Sequence, residues 1–373
     1  MSEASAAPVE DTGKPIRVAF LLPSTGGGGG ANSVVQEATG LARFGCPVAI
    51  LVNVDNRAAF ARNYPELLDA GVAVESFADP QELGRLLAEH DVVAATTSMS
   101  VGVMDQALKT MKAADRPRTA YYVQDYEPLF FRLGTPEWEE TFASYTRIAG
   151  MRPFAKTDWI CSVVEQNHEV AVARVKASID HAIYYPDLSR RTDGPVRIAA
   201  MLRPKTRRRA PRRTARILSW LVAEYGHRVI VECFGAPAEE LASAGIDLPA
   251  SVVNHGRLRR TQVPRVLRGS DLFLDLSDYQ AFGRTGLEAM ASGCTPVLPI
   301  FGGADEYAVH GRNSFVVDTR SDDAIREAIA AFIEMPPVPR RAMRMDGIVT
   351  AAGFSVERAV ASELAFFESI RAN

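Results

Sequence analysis

The sequence predicts an α/β protein built as two successive doubly wound domains, and three observations carry that expectation. Apolar runs of strand length alternate with helical patterns along most of the chain. The first such run opens into a glycine loop and then a helix, which is how an open parallel sheet begins. The alternation then pauses across the polar, Pro- and Gly-containing stretch 186–195 and starts again. At 373 residues the chain is long for one core, since domains usually hold ~100 to 200 residues. These breaks divide it into a tail at 1–15, a first domain at 16–186, a linker at 187–195, a second domain at 196–354 and a terminal helix at 355–373. Two such halves imply a cleft between them.

In the first domain, residues 16–22 (IRVAFLL) form a continuous apolar run, followed by PSTGGGGGAN and a helical pattern at 33–44. The amides of the five glycines 26–30 and the helix N-terminus make an anion cradle. Strands are expected at 48–52, 72–76, 92–95 and 119–123, with helices at 81–88 and 103–111. The stretch 121–131 (YYVQDYEPLFF) runs off a strand end into a loop where Gln124, Asp125, Tyr126 and Glu127 sit among aromatic rings. Rings beside acids suit a sugar, whose C–H face packs on them while its hydroxyls donate to carboxylates. Helices at 138–150 and 162–175 and an extended segment to 188 complete the half.

The second domain reads as strand 196–202, a helix to about 225, and strands at 228–233, 252–255 and 271–274. Its first turn, LRPKTRRRAPRR, gathers Arg203, Lys205 and Arg208 with four more arginines at a helix start. Cations there oppose the helix dipole unless an anion lies among them, and a pyrophosphate would satisfy both charges and amides. A short turn, Gly256-Arg257-Leu258, follows another buried strand. The segment 276–313 then supplies a loop with Gln280, Phe282 and Gly283, a helix at 284–292 bearing Glu288, a strand at 295–298 and the turn Gly302-Gly303. A carboxylate one turn inside that helix can accept hydrogen bonds from a ribose diol. Paired glycines let backbone approach a ligand closely. Residues 354–370 are amphipathic at helical spacing.

Composition narrows the classes. With 47% hydrophobic and 23% charged residues the chain is an ordinary globular one, and a net charge of -3 gives no global pull toward nucleic acid or anionic membrane. Cys46, Cys161, Cys233 and Cys294 are widely spaced and read as buried free thiols of a reducing compartment. The first fifteen residues lack an apolar core for a signal peptide, and no apolar run nears the ~18 residues of a membrane span. The expected location is cytoplasmic, with peripheral contact at the inner membrane face left open. Neither a D-x-D pair nor a histidine pair at ligand spacing occurs, so no metal site is expected.

The run Gln280, seven residues, Glu288, then AMASG, TPVLP, FGGADE and HGRNSFVV resembles the E-x7-E segment of the retaining GT-B glycosyltransferases of family 4. The first Glu of that pattern is Gln280 here, an amide that still offers a donor and an acceptor. The resemblance implies two Rossmann-like domains facing a cleft and a final helix returning toward the first. It implies metal-independent retaining transfer from a nucleotide diphosphate sugar. By the same resemblance Arg203, Arg208 and Asp125 are catalytic candidates. Gly29, Gly30, Lys205, Gly256, Arg257, Leu258, Gln280, Phe282, Gly283, Glu288, Gly302 and Gly303 would bind the donor. Gln124, Tyr126 and Glu127 would line the acceptor side. A histidine common in the family's first domain is absent; Thr96, Thr97 and Ser98 stand there.

The Q-D-Y-E-P string resembles the rhamnosyltransferase branch. That implies a dTDP- or UDP-linked donor carrying rhamnose or a related hexose, a glycan or lipid-linked acceptor, and no other cofactor or nucleic acid. Three alternatives stay open: a small natural product as acceptor, a non-catalytic sugar-nucleotide binder, and a NAD-dependent oxidoreductase. The last rests on Gly26, Gly28 and Ala31 matching G-x-G-x-x-A, with Asp55 after the second strand.

Overall fold

All eleven strand pairings of the computed structural model, which describes residues 14–190 and 194–372, are parallel. One sheet contains β1 (Val18–Leu21), β2 (Val48–Asn53), β3 (Ala73–Phe77), β4 (Val92–Ala95), β5 (Arg118–Val123), β6 (Arg152–Ala155) and β7 (Ala173–Arg174), in the order β3-β2-β1-β4-β5-β6-β7. The other contains β8 (Val196–Met201), β9 (Val229–Phe234), β10 (Val253–Asn254), β11 (Leu272–Leu274), β12 (Thr295–Pro299) and β13 (Phe315–Val317), in the order β10-β9-β8-β11-β12-β13. Strand order reverses beside β1 in the first sheet and beside β8 in the second. Ligands of open α/β sheets bind at the carboxyl ends of strands at such reversals.

The inner strands are apolar throughout because helices cover both faces of a parallel sheet. All four residues of β1 are buried. In the second sheet the two faces separate by the strand period of two. Ile198, Ala200, Leu272 and Leu274 face one apolar cluster, with Ile217, Leu218 and Leu221 of the helix Pro211–Tyr225. Ala199 and Phe273 face the other, with Leu287 and Met290 of the helix Arg284–Ala291.

The chain divides into two compact units, but not at 186. The first unit runs to Ala155 and takes in Val163–Lys176 and the residues from Glu357 onward; the second holds Lys156–Ser162 and Ala177–Val356. Residues 177–186, expected in the first domain, therefore lie in the second, where Ile179 bridges Ser355 and its amide donates to Phe354 O at 2.9 Å. The helix Val356–Arg371 buries Phe367 in the first unit, 6.2 Å from the Phe20 ring and 5.6 Å from that of Phe154. Residues 1–13 of the expected tail and 191–193 of the expected linker lie outside the described residues. Immediately before the latter, Arg190 donates to Gly269 O and Ser270 O of the second unit.

Several element boundaries differ from those expected. The helix expected at 138–150 is Pro136–Ala143 only, since the hydroxyls of Thr141 and Ser144 bond to the carbonyls of Glu137 and Thr141 and compete with its continuation. The helix expected at 162–175 is Asp158–His168; Glu169, at φ 55°, stops it, and β7 follows. The first helix opens at Gly29 rather than 33, drawing Gly29 and Gly30 into its first turn. All four cysteines are free and buried. No helix among the described residues is long and apolar enough to cross a membrane.

Truncating Phe367 to Ala removes a wholly buried ring. It is expected to cost about 3–5 kcal/mol of stability by urea denaturation. A loss under about 1 kcal/mol would mean that the last helix is not part of the first unit's core.

Candidate active site

In the second unit the site is built on a buried carboxylate. Asp275 follows β11 and is 5% exposed. It accepts from Ser277 N at 3.2 Å, from the Gln280 side-chain amide, and from Arg209 Nη1 at 3.5 Å. Gln280, 3% exposed, also donates to Ser277 Oγ at 3.0 Å. Its amide hydrogens are thus engaged within the loop, and the expectation that it offers a donor to sugar hydroxyls is corrected. A glutamate at 280 would set a second carboxylate against Asp275, where like charges repel; the amide turns that contact into a bond.

Gly302 and Gly303 approach the chain's own backbone rather than open space. A Cβ on Gly302, at φ 110°, would lie 1.9 Å from Gln280 O, and one on Gly303 2.4 Å from Ala281 O. Gln280 N donates to Phe301 O at 3.1 Å, and Gly303 N donates to Gln280 O at 2.9 Å. The glycine pair is required by this close backbone pairing, and the Gly303 amide expected for a ligand is already bonded. Thr157 Oγ1 reaches Ala281 O at 2.9 Å from the other side.

The helix Arg284–Ala291 starts from Gly283 at φ 76°, whose carbonyl accepts from Tyr307 Oη at 2.6 Å. Phe282 packs at the edges of Tyr307 and Phe354. One turn into the helix, Glu288 is 8% exposed and pairs with Arg284 Nε at 2.9 Å. Burial raises its pKa, while Arg284, Arg260 and the Tyr184 hydroxyl pull it back. Arg260 is held in turn by Asp180 at 3.0 Å.

Arg203 lies within electrostatic reach of Arg257, Arg208 and Glu288. Although Arg203 is exposed as a residue, the surrounding protein desolvates its guanidinium, and Arg257 and Arg208 add like charge, so its pKa falls below the ordinary value. Arg208 lies 5.5 Å from the centre of the Tyr279 ring, and its carbonyl accepts from Asp278 N at 2.8 Å. Arg203, Arg208 and Arg257 thus share one electrostatic neighbourhood with Glu288, a charge pattern that suits an anionic ligand. Lys205 is 86% exposed in its side chain and 3.9 Å from Glu240, the acid that also pairs with Arg257 at 2.6 Å. Gly256, at φ 64°, accepts from Gly235 N at 2.7 Å, and Leu258 packs on the second apolar cluster. Neighbouring arginines are structural: Arg213 pairs with Asp278 at 2.8 Å and Arg212 donates to Ala244 O.

Asp275, Arg284, Arg260 and Tyr184 were not singled out from sequence. Arg284 had a readable signal, since it stands four residues before Glu288 on a helix face. Arg260 and Tyr184 had none.

In the first unit, the carboxyl ends of β1, β4 and β5 are knit together. Thr96 Oγ1 donates to Leu21 O at 2.8 Å, and Gln124 Nε2 donates to Thr96 O at 3.1 Å. Gly30 faces Gln124, whose Oε1 would lie 3.1 Å from an added Cβ, whereas Gly29 has nothing within 4 Å. Asp125 Oδ1 accepts from Tyr126 N at 3.0 Å. Glu127, expected on the acceptor side, caps the helix Ser98–Thr110 by accepting from Ser98 N at 3.0 Å and Ser98 Oγ. Burial raises its pKa. Tyr126 is likewise turned inward, with its hydroxyl 3.1 Å from His168 Nε2. Phe130 and Phe131 stay 43% and 41% exposed, which keeps an aromatic surface beside Asp125 in the chain.

His168 packs on Phe142 and Tyr145 with ring centroids 4.3 Å away, and burial lowers its pKa from 6.5 to about 4. The unfolded chain therefore takes up this proton first as pH falls. The stability His168 contributes is present above pH 6.5 and is lost between 6.5 and about 4. His168→Phe is expected to flatten the fall in the denaturation midpoint between pH 7 and pH 5; equal slopes in parent and variant would contradict the assignment.

Residues 238–346, which include Gln280 and Glu288, match the family described as glycosyl transferases group 1. Mannosylfructose-phosphate synthase of Agrobacterium fabrum is 35% identical over 80 residues, 21% of this chain and 17% of that protein. The O-antigen biosynthesis protein RfbC of Myxococcus xanthus is 27% identical over 216 residues, 57% of this chain and 16% of that protein. The chain thus spans less than a fifth of the length of these curated relatives. Among solved structures, HepE of Anabaena in complex with UDP-glucose is 19% identical with a TM-score of 0.77, covering 95% of this chain and 99% of that one. Residues 238–346 thus resemble that family, and the chain shares the GT-B fold of two Rossmann-like units.

Proposed function

We propose that the protein is a retaining glycosyltransferase that moves a hexose, rhamnose or a close relative, from a dTDP- or UDP-linked donor to a glycan or lipid-linked acceptor. The observation that carries this reading is that Arg203, Arg208 and Arg257 lie in one electrostatic neighbourhood with the helical Glu288, which stands in the segment 238–346 that matches the glycosyl transferases group 1 family. Glu288 accepts hydrogen bonds from the ribose hydroxyls, and Arg284, 2.9 Å away, offsets part of the cost of its burial. Arg203 and Arg208 hold the diphosphate and stabilise the charge that grows on it as the glycosidic bond breaks. No metal is needed where fixed cations do this. The donor phosphate takes the acceptor's proton on the face it leaves. Asp125 and the exposed Phe130 and Phe131 rings receive the acceptor sugar.

HepE, whose fold this chain shares, has been solved with UDP-glucose, which supports a nucleotide sugar as donor. The similarity to an O-antigen biosynthesis protein supports a glycan acceptor. A second reading, a sugar-nucleotide binder without turnover, is favoured by one observation, the Gln280 amide committed to Asp275. Release of nucleotide diphosphate from a panel of dTDP and UDP sugars separates the two.

Glu288→Gln keeps the size of the buried side chain but removes its charge. It is expected to weaken nucleotide binding by about 1.5–3 kcal/mol, the range for hydrogen bonds to charged groups, measured by calorimetry on the folded variant. Unchanged affinity would refute the ribose assignment. Transfer is expected to proceed at the parent rate in EDTA; loss of activity that Mg²⁺ or Mn²⁺ restores would refute metal independence.

A further inference from the structure

The second unit contains a cavity of about 230 Å³ that none of the donor residues lines. It lies at the opposite ends of the strands: Asp271, which precedes β11, and Thr295, which opens β12, are in its wall. Four arginines, Arg190, Arg340, Arg341 and Arg344, line it against the single carboxylate of Asp271. That carboxylate is already committed, since it accepts from Arg197 N at 2.9 Å and pairs with Arg190.

The other three guanidiniums form no ion pair among the described residues, although Asp271 and Asp187 lie within electrostatic reach of Arg344. Arg340 donates to Ile333 O at 2.8 Å and Met335 O at 2.9 Å, and Arg344 donates to Asp187 O at 2.6 Å, all of them carbonyls. Arg341 is exposed and has no ion pair among the described residues. The Nε atoms of Arg190, Arg340 and Arg344 are buried without a hydrogen-bond partner among the described residues. Burial and the nearby Arg190 hold the Arg344 pKa below its ordinary value. The sixteen-residue helix Pro337–Ala352 begins in the same wall, with no side-chain cap and no acid in its first turn. Its positive end adds to the guanidiniums instead of being offset. Such clustering is unfavourable until an anion joins it.

We propose that this cavity binds a small anion bearing a phosphate group. A phosphate offers two negative charges and several acceptor oxygens to guanidinium forks, which a chloride or a carboxylate does not. The volume falls below the roughly 300 Å³ at which pockets start to hold drug-sized ligands, so a nucleotide sugar is excluded by size. Met345 in the wall, 38% exposed, gives the organic part of a phosphomonoester an apolar surface to lie on. Inorganic phosphate and a phosphomonoester share the recognising chemistry.

The test is calorimetric titration of the full chain, at constant ionic strength, with inorganic phosphate, a hexose monophosphate and chloride. Saturable binding of a phosphate species is expected. Arg341→Gln/Arg344→Gln should weaken it at least tenfold, while Arg203→Gln/Arg208→Gln should leave it within twofold. The tighter of the two phosphate ligands identifies the source. No saturable binding, an equal response to chloride, or loss only in the Arg203/Arg208 variant would overturn the proposal, the last by moving the anion to the donor site. If the Arg341/Arg344 variant does not fold, Arg341→Gln alone, at an exposed position, should weaken binding threefold or more, and an unchanged constant would overturn the proposal.

Discussion

The second unit's site depends on burying the Asp275 carboxylate at the end of β11. A buried carboxylate is tolerated only when donors surround it, and the loop that follows is shaped to provide them. Ser277, Gln280 and Arg209 do so, and Ser277 is anchored in turn, because its carbonyl accepts from Thr319 Oγ1. Once Gln280 is drawn inward, its backbone must pair with residues 301–303. Only glycines can stand at 302 and 303, because Gln280 O and Ala281 O occupy the space a Cβ would need. The position of the Glu288 helix follows from this loop, whose last residue, Gly283, adopts the left-handed conformation that turns the chain into the helix.

The sequence made the sheets legible because parallel strands buried on both faces are written as apolar runs, as in IRVAFLL and TPVLP. It made the segment 276–313 legible because the Gln280-x7-Glu288 spacing, helix period and paired glycines coincide within it. What it could not show is which partner each polar group finds. Glu127 and Tyr126 read as open to a ligand but are spent on Ser98 and His168, residues about 30 and 42 positions away. Arg260 and Tyr184 reach Glu288 from distant segments, and no local spacing encodes that. The short β6 and β7 were missed for a related reason: RPFA and AR have neither the length nor the alternation that marks a strand.

Basic clusters illustrate the same limit. LRPKTRRRAPRR reads as one patch, yet its arginines divide by partner. Arg209, Arg212 and Arg213 hold the loop and the neighbouring helix, while Arg203 shares its surroundings with Arg257, Arg208 and Glu288. Arg340, Arg341 and Arg344 are unremarkable in the sequence. They gain meaning only when a helix start brings them to the wall where Asp271 is already taken.

The division of the chain between the units has a consequence for its synthesis. The first unit's hydrophobic core contains Phe366 and Phe367 beside Phe154, so residues translated more than two hundred positions apart complete one core. Domains usually fold as they leave the ribosome, amino-terminal first. Here that order is inverted in part, because the second unit, closing at Val356, has all its strands before the first unit has its last helix. Until the helix Val356–Arg371 is made, the first unit lacks the rings of Phe366 and Phe367 that pack against Phe154.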